Sequence, residues 1–406
     1  MLRSIISDFK KMNFNIITIL DARIKFLSKF LEADEIGYAS PEKSYIETFI
    51  EELRKSEYCF IIAPEFSNIL YNLTETAYEL NKIILSVNLE GIKLGTSKQL
   101  TYDYFIKRNI STPRTHKIPM RNGEIDFKFI LRKFEQYKSP IIIKPDDGVG
   151  SEGIFYFNTK EQIKKIIDQE KDAIEQNRSY ILQEFIEGSD LSFSLLGFYR
   201  EKSHIIHDPI LLGVNSQSVR IKDMSKESEY IGGNTPVQDY KRFHEDFLTL
   251  IERLNPPICG YFGIDFVRTA NQKNYYIEIN PRLTTSYLGV RNTLDINPAE
   301  MIYNAKINQT VLKTPKTIGH SSFSRIELQY NNENRDINPS DDVIPKLMEL
   351  IPELVTPPIF IGELGHDNKR NYFCFISTKE KTKERSLERM QKIRDIFKKH
   401  NFLVFK

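Results

Sequence analysis

Short apolar runs rich in β-branched residues alternate with amphipathic stretches over residues 1–95. Residues 2–12 read as a helix, and NIITIL (15–20), CFIIAP (59–64) and KIILSV (82–87) read as buried strands. SYIETFIEELRKS (44–56) carries a helical pattern between them. Strands alternating with helices predict a parallel sheet and an α/β organisation. A second segment starts near Gly95, where TSKQLTYDYFIKRNI (96–110) reads as a capped helix that Thr112-Pro113 ends. From there to about residue 310 the strands are longer and pair as hairpins, with helices near 160–176 and 239–254.

The tail reads as strand 322–330, helix 341–351, strand 358–364, strand 371–378, helix 381–399 and strand 401–405. That order is the β-α-β-β-α-β of a ferredoxin-like α+β unit. The expected division is therefore 1–95, 96–312 and 313–406.

Composition narrows the classes. The chain has 406 residues, 57 Lys+Arg against 55 Asp+Glu, and a net charge of +2. So small a net charge on so long a chain argues against a nucleic-acid partner. Three separated cysteines, Cys59, Cys259 and Cys374, make neither a disulfide framework nor a thiolate zinc site. No apolar run reaches the roughly 20 residues of a membrane span. The start, MLRSIISDFKKMNF, has no signal-peptide pattern. A cytoplasmic enzyme is the expectation.

The sharpest local signal is IIIKPDDGVGSEGIFYF (141–157), where Gly148, Gly150 and Gly153 spell G-x-G-x-x-G. A dinucleotide fingerprint needs a helix directly after the glycines. Here aromatic and β-branched residues follow, so the loop reads as strand–loop–strand. A Walker A loop is excluded because Ile154 and Phe155 stand where Lys-Ser/Thr is required. The kinase triplets H-R-D and D-F-G are missing, and Lys144 precedes the loop rather than following it. Glycines in such a hairpin let backbone N–H groups approach phosphate oxygens. An ordinary tight hairpin beside an exposed lysine is the competing reading.

The second signal is GYFGIDFVRTANQKNYYIEINPR (260–282), two strands around a polar turn. A turn centred between Asn271 and Gln272 sets Asp265 opposite Glu278. Period-two alternation then puts Asp265, Glu278 and Asn280 on one face. Two carboxylates and an amide form a hard oxygen site that suits Mg²⁺ (or Mn²⁺) with substrate phosphates. An acidic solvent face is the alternative. The third signal, YILQEFIEGSDLSFSLLGF (180–198), is an apolar strand running into acidic residues. Such a turn can offer backbone groups to an adenine edge, though an edge strand reads the same way.

Together the three segments resemble the ATP-grasp superfamily, over about residues 1–310. Within it the chain looks most like tyramine–glutamate ligases of methanofuran biosynthesis. IIAPEFSNILYNLT (61–74), SKQLTYDYFIKRNISTPRT (97–115), KPDDGVGSEGI (144–154), YIGGNTP (230–236) and EINPRLTTSY (278–287) carry that resemblance. It implies an ATP-grasp fold with a Rossmann-like N-terminal unit. It also implies an ATP-dependent carboxylate–amine ligase acting through an acyl phosphate.

The residue roles it implies are specific. Lys98 and Lys144 contact ATP phosphates, under the loop of Gly148, Gly150, Ser151 and Gly153. The Glu184 carbonyl and Ile186 amide meet adenine beside Gln183, and Asp190, then Glu187, meets the ribose. Asp265, Glu278 and Asn280 hold Mg²⁺, and Arg282 stabilises the transferring phosphoryl. Thr284, Thr285 and Ser286 either bind a substrate carboxylate or cap a helix. Gly232 and Gly233 belong to an expected mobile loop, GGNTP, near the acceptor site. Asn215 and Gln217 share a strand face that either lines the pocket or faces solvent. His204, His207 and His244 are bases by residue type only.

Two departures stand out. Relatives carry a strand before the first helix, so the N-terminal sheet is one strand short or the start lies upstream. The tail is outside the superfamily pattern. The substrates expected are a small carboxylic acid and an amine, glutamate with tyramine leading. A homodimer stays open. The alternatives are a ligase for another amino acid or peptide, and a non-catalytic nucleotide-binding module.

Overall fold

The computed structural model describes residues 1–150, 153–169, 174, 177–199, 209–220, 228–308, 313–330, 343–363 and 370–405. The N-terminal part is built from parallel pairs. Ile17–Asp21 pairs with Glu35–Ala39, and Tyr58–Cys59 pairs with Ile83–Ile84. The strands expected at 59–64 and 82–87 are thus only two residues long at their ladder. The strand Glu35–Ala39 was not expected, since Glu35 and Gly37 interrupt its apolar pattern. The helix Leu2–Lys10 precedes them, and Tyr45–Arg54 starts on a capping box made by Ser44 and Glu47.

Two antiparallel sheets follow. The smaller runs Thr115–Lys117, Tyr180–Glu184, Ile141–Pro145, Phe155–Phe157. It closes its own core around Ile130, Ile141, Phe157, Ile166 and Leu182. Ile143 opposite Phe155 makes the glycine segment a hairpin loop rather than a strand-to-helix turn. The helix expected near 160–176 is Lys160–Gln169 among the described residues.

The larger sheet runs Asn274–Asn280, Gly260–Arg268, Ser189–Gly197, Ile210–Arg220, Glu229–Thr235, Ser321–Tyr330, Arg370–Ser377, Leu354–Glu363, with Phe402–Val404 on the flank of Ser321–Tyr330. Its first strands share a core with the N-terminal part, where Leu53, Leu70 and Phe105 pack with Phe193, Phe262 and Ile264. The tail keeps the β-α-β-β-α-β order, and its four strands lie antiparallel with the first between the third and the fourth. Its core gathers Ile326, Leu347, Cys374 and Phe397. The tail does not hang off the molecule: Ser321–Tyr330 pairs directly with Glu229–Thr235. No helix among the described residues is long and apolar enough to cross a membrane.

That pairing corrects one expectation. Gly232, Gly233, Asn234 and Thr235 are not a loop; they are strand residues, the first three paired on both sides, to Ile210–Arg220 and to Ser321–Tyr330, and Thr235 paired with Ser321. The glycines are there for closeness. A Cβ on Gly232 would lie 2.1 Å from the Phe323 carbonyl oxygen, and one on Gly233 2.0 Å from that of Ser216. Substitution to Ala must push the neighbouring strand away. Gly232→Ala and Gly233→Ala are each expected to cost about 3 kcal/mol or more in a thermal melt. Gly150→Ala should cost only about 1–2 kcal/mol: Gly150 has positive φ, but nothing lies within 4 Å of its Cβ position.

Candidate active site

The two sheets face each other across one cavity of about 260 Å³. The hairpin Gly260–Arg268 and Asn274–Asn280 forms its floor. Asp265 stands directly opposite Glu278, and Gly263 opposite Asn280. The alternation predicted this, and the contacts complete it. Asn280 Nδ2 donates to Asp265 Oδ2 at 2.9 Å, and Gln217 Nε2 donates to Asp265 Oδ1 at 2.9 Å. Gln217 therefore faces the cavity. Asn215 is buried elsewhere on its strand, donating to Ser192 and Ser194 and accepting from Thr235.

Two lysines come from the opposite side. Lys144 lies in the strand Ile141–Pro145, and Lys98 opens the helix Lys98–Lys107, whose N-cap is Ser97. Lys98 Nζ donates to the Gly148 carbonyl at 2.6 Å and stands 3.3 Å from Glu278 Oε2. Lys144 Nζ stands 3.9 Å from the same oxygen. Burial pulls the Lys144 ammonium down to about 8 against the opposing charge of Glu278. Burial, and then the charge of Glu278, pushes the Asp265 carboxyl well up. Burial also acts upward on Glu278, but the charges of Lys98 and Lys144 outweigh it and hold that carboxyl below its usual range.

One side of the cavity is apolar. Ile142, Ile154, Val219, Phe266 and Ile277 line a slot beside the hinge Gln183–Ile186. The N–H groups of Glu184 and Phe185 are engaged by the carbonyls of Arg114 and Pro140. The Glu184 carboxylate is engaged too, by Arg114 through two bonds at 2.7 and 2.8 Å. Gln183 is buried and donates to Thr115 Oγ1 at 2.9 Å. Asp190 lines the cavity, and burial raises its carboxyl. Glu187 is exposed and does not reach it.

At the far end stand Arg282, Thr284, Thr285 and Ser286. Ser286 precedes the helix Tyr287–Thr293 but makes no side-chain cap bond, so the capping alternative fails for it. Gly148 and Gly150 line the cavity; Gly153 packs on the Pro145 ring instead. Ser151 lies outside the described residues, as do His204 and His207. His244 sits against Tyr240 and Phe247 on the helix Tyr240–Leu254, away from the cavity. Gly232 and Gly233 are also outside it.

Two residues were not anticipated. Glu65, buried at the end of the apolar run 61–64, accepts from Arg282 Nε with both oxygens at 2.8 Å. Tyr230 lines the cavity beside Ser286, with its hydroxyl buried. Both fall in stretches quoted above for resemblance alone.

The residues fit a divalent cation. Among the described residues no group of three or more His, Cys, Asp or Glu side chains could hold a metal. The candidate set has two carboxylates and an amide, which leaves positions for phosphate oxygens and water. Glu278 Oε2 is buried and is met only by the ammonium groups of Lys98 and Lys144, at 3.3 and 3.9 Å. Charge points the same way. Lys98 and Lys144 stand over Glu278, and Arg282 is paired with Glu65, so the cations of the site already have carboxylate partners before a polyphosphate arrives.

A glycine hairpin and a carboxylate hairpin closing over two lysines define a nucleotide-grasping architecture. Residues 96–286 match the ATP-grasp domain, and residues 14–92 match the pre ATP-grasp 3 domain. The chain belongs to the ATP-grasp superfamily. Tyramine–L-glutamate ligase of Methanocaldococcus fervens is 29% identical over 255 residues, 61% of this chain and 66% of the relative. That of Methanocaldococcus jannaschii is 29% identical over 272 residues, 66% and 70%. The chain thus spans about two thirds of the length of these relatives.

Solved structures agree in fold. The biotin carboxylase domain dimer of Hydrogenobacter thermophilus 2-oxoglutarate carboxylase, in complex with MgADP, superposes with TM-score 0.67 at 13% identity, covering 99% of this chain and 87% of that one. An L-amino acid ligase from Bacillus licheniformis gives 0.62 at 11%, covering 100% and 95%.

Lys144 yields a pH prediction. A lysine lowered to about 8 carries its charge below that pH and loses it above. ADP affinity measured without magnesium should therefore fall as pH rises through 8. Lys144→Arg should bind ADP without that limb, since arginine stays protonated.

Proposed function

We propose that the chain is an ATP-dependent carboxylate–amine ligase that forms an amide through an acyl phosphate. Glutamate and tyramine are the leading pair, giving glutamyl-tyramine, ADP and phosphate. The observation that carries the reading is the half-buried pair Asp265 and Glu278, opposed across one hairpin beneath the buried Lys98 and Lys144. The naming of both Methanocaldococcus relatives supports the choice of substrates. A cytoplasmic location and small-molecule partners belong to the same proposal.

Phosphoryl transfer asks the protein mainly to position groups and neutralise charge. Lys144 and Lys98 bind phosphate oxygens. The apolar slot holds the base against the hinge, and Asp190 receives the ribose hydroxyls. Asp265, Glu278 and Asn280 would hold magnesium, which supplies positive charge to the phosphates when bound. A substrate carboxylate oxygen attacks the γ-phosphorus, the bond to the bridging oxygen breaks, and ADP leaves. Arg282 binds the oxygens of the transferred phosphoryl group. The amine nitrogen then attacks the acyl carbon, the carbon–oxygen bond to phosphate breaks, and the nitrogen gives up a proton. The Gly148–Gly153 loop excludes water while the acyl phosphate lasts. Thr284, Thr285 and Ser286 face the acid.

Phosphate release from ATP and Mg²⁺ tests the proposal. Release is expected only when glutamate and tyramine are both present, with a product mass equal to their sum minus water. Release with another acid and amine would keep the ligase and replace its substrates; none with any pair would overturn it. Glu278→Gln should lower turnover by about 10²–10³-fold, with the melting temperature close to that of the unaltered protein.

A further inference from the structure

The reaction above leaves Glu65 without a task, although its position is costly. It is 4% exposed and lies 217 residues from its partner Arg282. Taking a carboxylate and a guanidinium out of water costs several kcal/mol for each ion, recovered only with good geometry. Both Glu65 oxygens sit 2.8 Å from Arg282 Nε. The other guanidinium nitrogens hold only long contacts, Nη1 to the Leu283 carbonyl and Nη2 to Asn280 Oδ1, each at 3.4 Å. Arg282 is therefore gripped by its Nε edge, while the two Nη groups, which carry four of its five donors, are weakly held. Those are the groups that bind an oxyanion in bidentate fashion.

The loop that carries Glu65 has a second anchorage. Ser67 and Asn68 adopt left-handed backbone at φ 52° and 58°, conformations that non-glycine residues hold only under constraint. Ser67 N–H donates to Asp147 Oδ2 at 3.1 Å. Asp147 is the residue before Gly148, at the foot of the glycine loop. One turn of the N-terminal part thus touches both Arg282 and the root of the lid.

We infer that Glu65 is a positioning residue for phosphoryl and acyl transfer: it fixes the plane of Arg282 so that the Nη groups face the reacting oxyanion. The inference rests on the ligase reading for its substrate. It makes the N-terminal part a contributor to the chemistry and not only a neighbour of it. A plain interdomain clamp would use the same ion pair, so the test must separate the two.

A double-substitution cycle in the full-length protein does so, with Glu65→Gln, Arg282→Lys and both together. Three quantities are followed: acid-dependent kcat, affinity for MgADP, and affinity of inorganic phosphate for the MgADP complex. Glu65→Gln is expected to lower kcat and phosphate affinity about tenfold or more, with MgADP affinity within about twofold. In the Arg282→Lys background Glu65→Gln should add nothing, because its effect passes through the arginine. A lowered melting temperature with kcat and phosphate affinity unchanged would assign a clamp and overturn the inference; so would losses that add in the double variant. If Glu65→Gln does not fold, Glu65→Asp, which keeps the charge but retracts it by one methylene, is read by the same criteria. Failure of wild-type turnover with every acid and amine would remove the ligase reading. The phosphate-binding cycle would still decide the role of Glu65.

Discussion

Two half-buried carboxylates face each other across a strand pair. Asp265 and Glu278 are the constraint around which the rest is arranged. Opposed like charges destabilise a sheet, and burial magnifies the repulsion. The protein answers with neighbours drawn from distant segments. Gln217 and Asn280 donate to Asp265, and Lys98 and Lys144 stand over Glu278. None of this neutralises Asp265, which burial and its partner keep inclined to hold a proton. The pair is thus stable enough to fold and still short of positive charge, a state that a divalent cation relieves.

The same logic explains why the chain commits so much architecture to one cavity. Lys98 ties the Gly148 carbonyl to the carboxylate floor, and Ser97 and Gln99 bind the Asp146 carboxylate one turn away. The glycine loop is therefore fastened at its entry while Gly150 has open space around it. Under the proposed mechanism, a fixed root is what closure of this loop over the phosphates would require. The smaller sheet carries the glycine loop on its own core, separate from the packing around Phe193 and Phe262.

How much of this could be read from sequence follows from the range of each interaction. Asp265 opposite Glu278 is the pairing expected from a turn centred between Asn271 and Gln272, but the fold reaches it through a bulge: Arg268 pairs with Asn274 and Phe266 with Tyr276, and a register shift between Asp265 and Phe266 brings the two carboxylates opposite each other. The glycine hairpin was legible because strand-formers, not helix-formers, follow it. The GGNTP segment misled: its glycines look like turn residues, yet they admit the carbonyls of Ser216 and Phe323, which only the assembled sheet brings near. The order of Asp190 before Glu187 comes from the resemblance alone, because sequence does not say where the hinge strand turns; the fold lines the cavity with Asp190 and leaves Glu187 exposed. Glu65 was beyond reach, because a lone acid after an apolar run does not announce a partner more than two hundred positions away.

The pairing of Glu229–Thr235 with Ser321–Tyr330 sets the order in which the molecule can form. Until residues beyond 330 have been synthesised, the strand with Gly232 and Gly233 is a bare edge with unpaired amides. Such edges recruit foreign strands, and contacts distant in sequence form slowly. The helix Leu2–Lys10 waits as well, since Arg3 Nη1 donates to the Leu354 carbonyl at 2.5 Å. A nascent chain will therefore carry a complete nucleotide cavity in its sequence long before it can close the sheet beneath it.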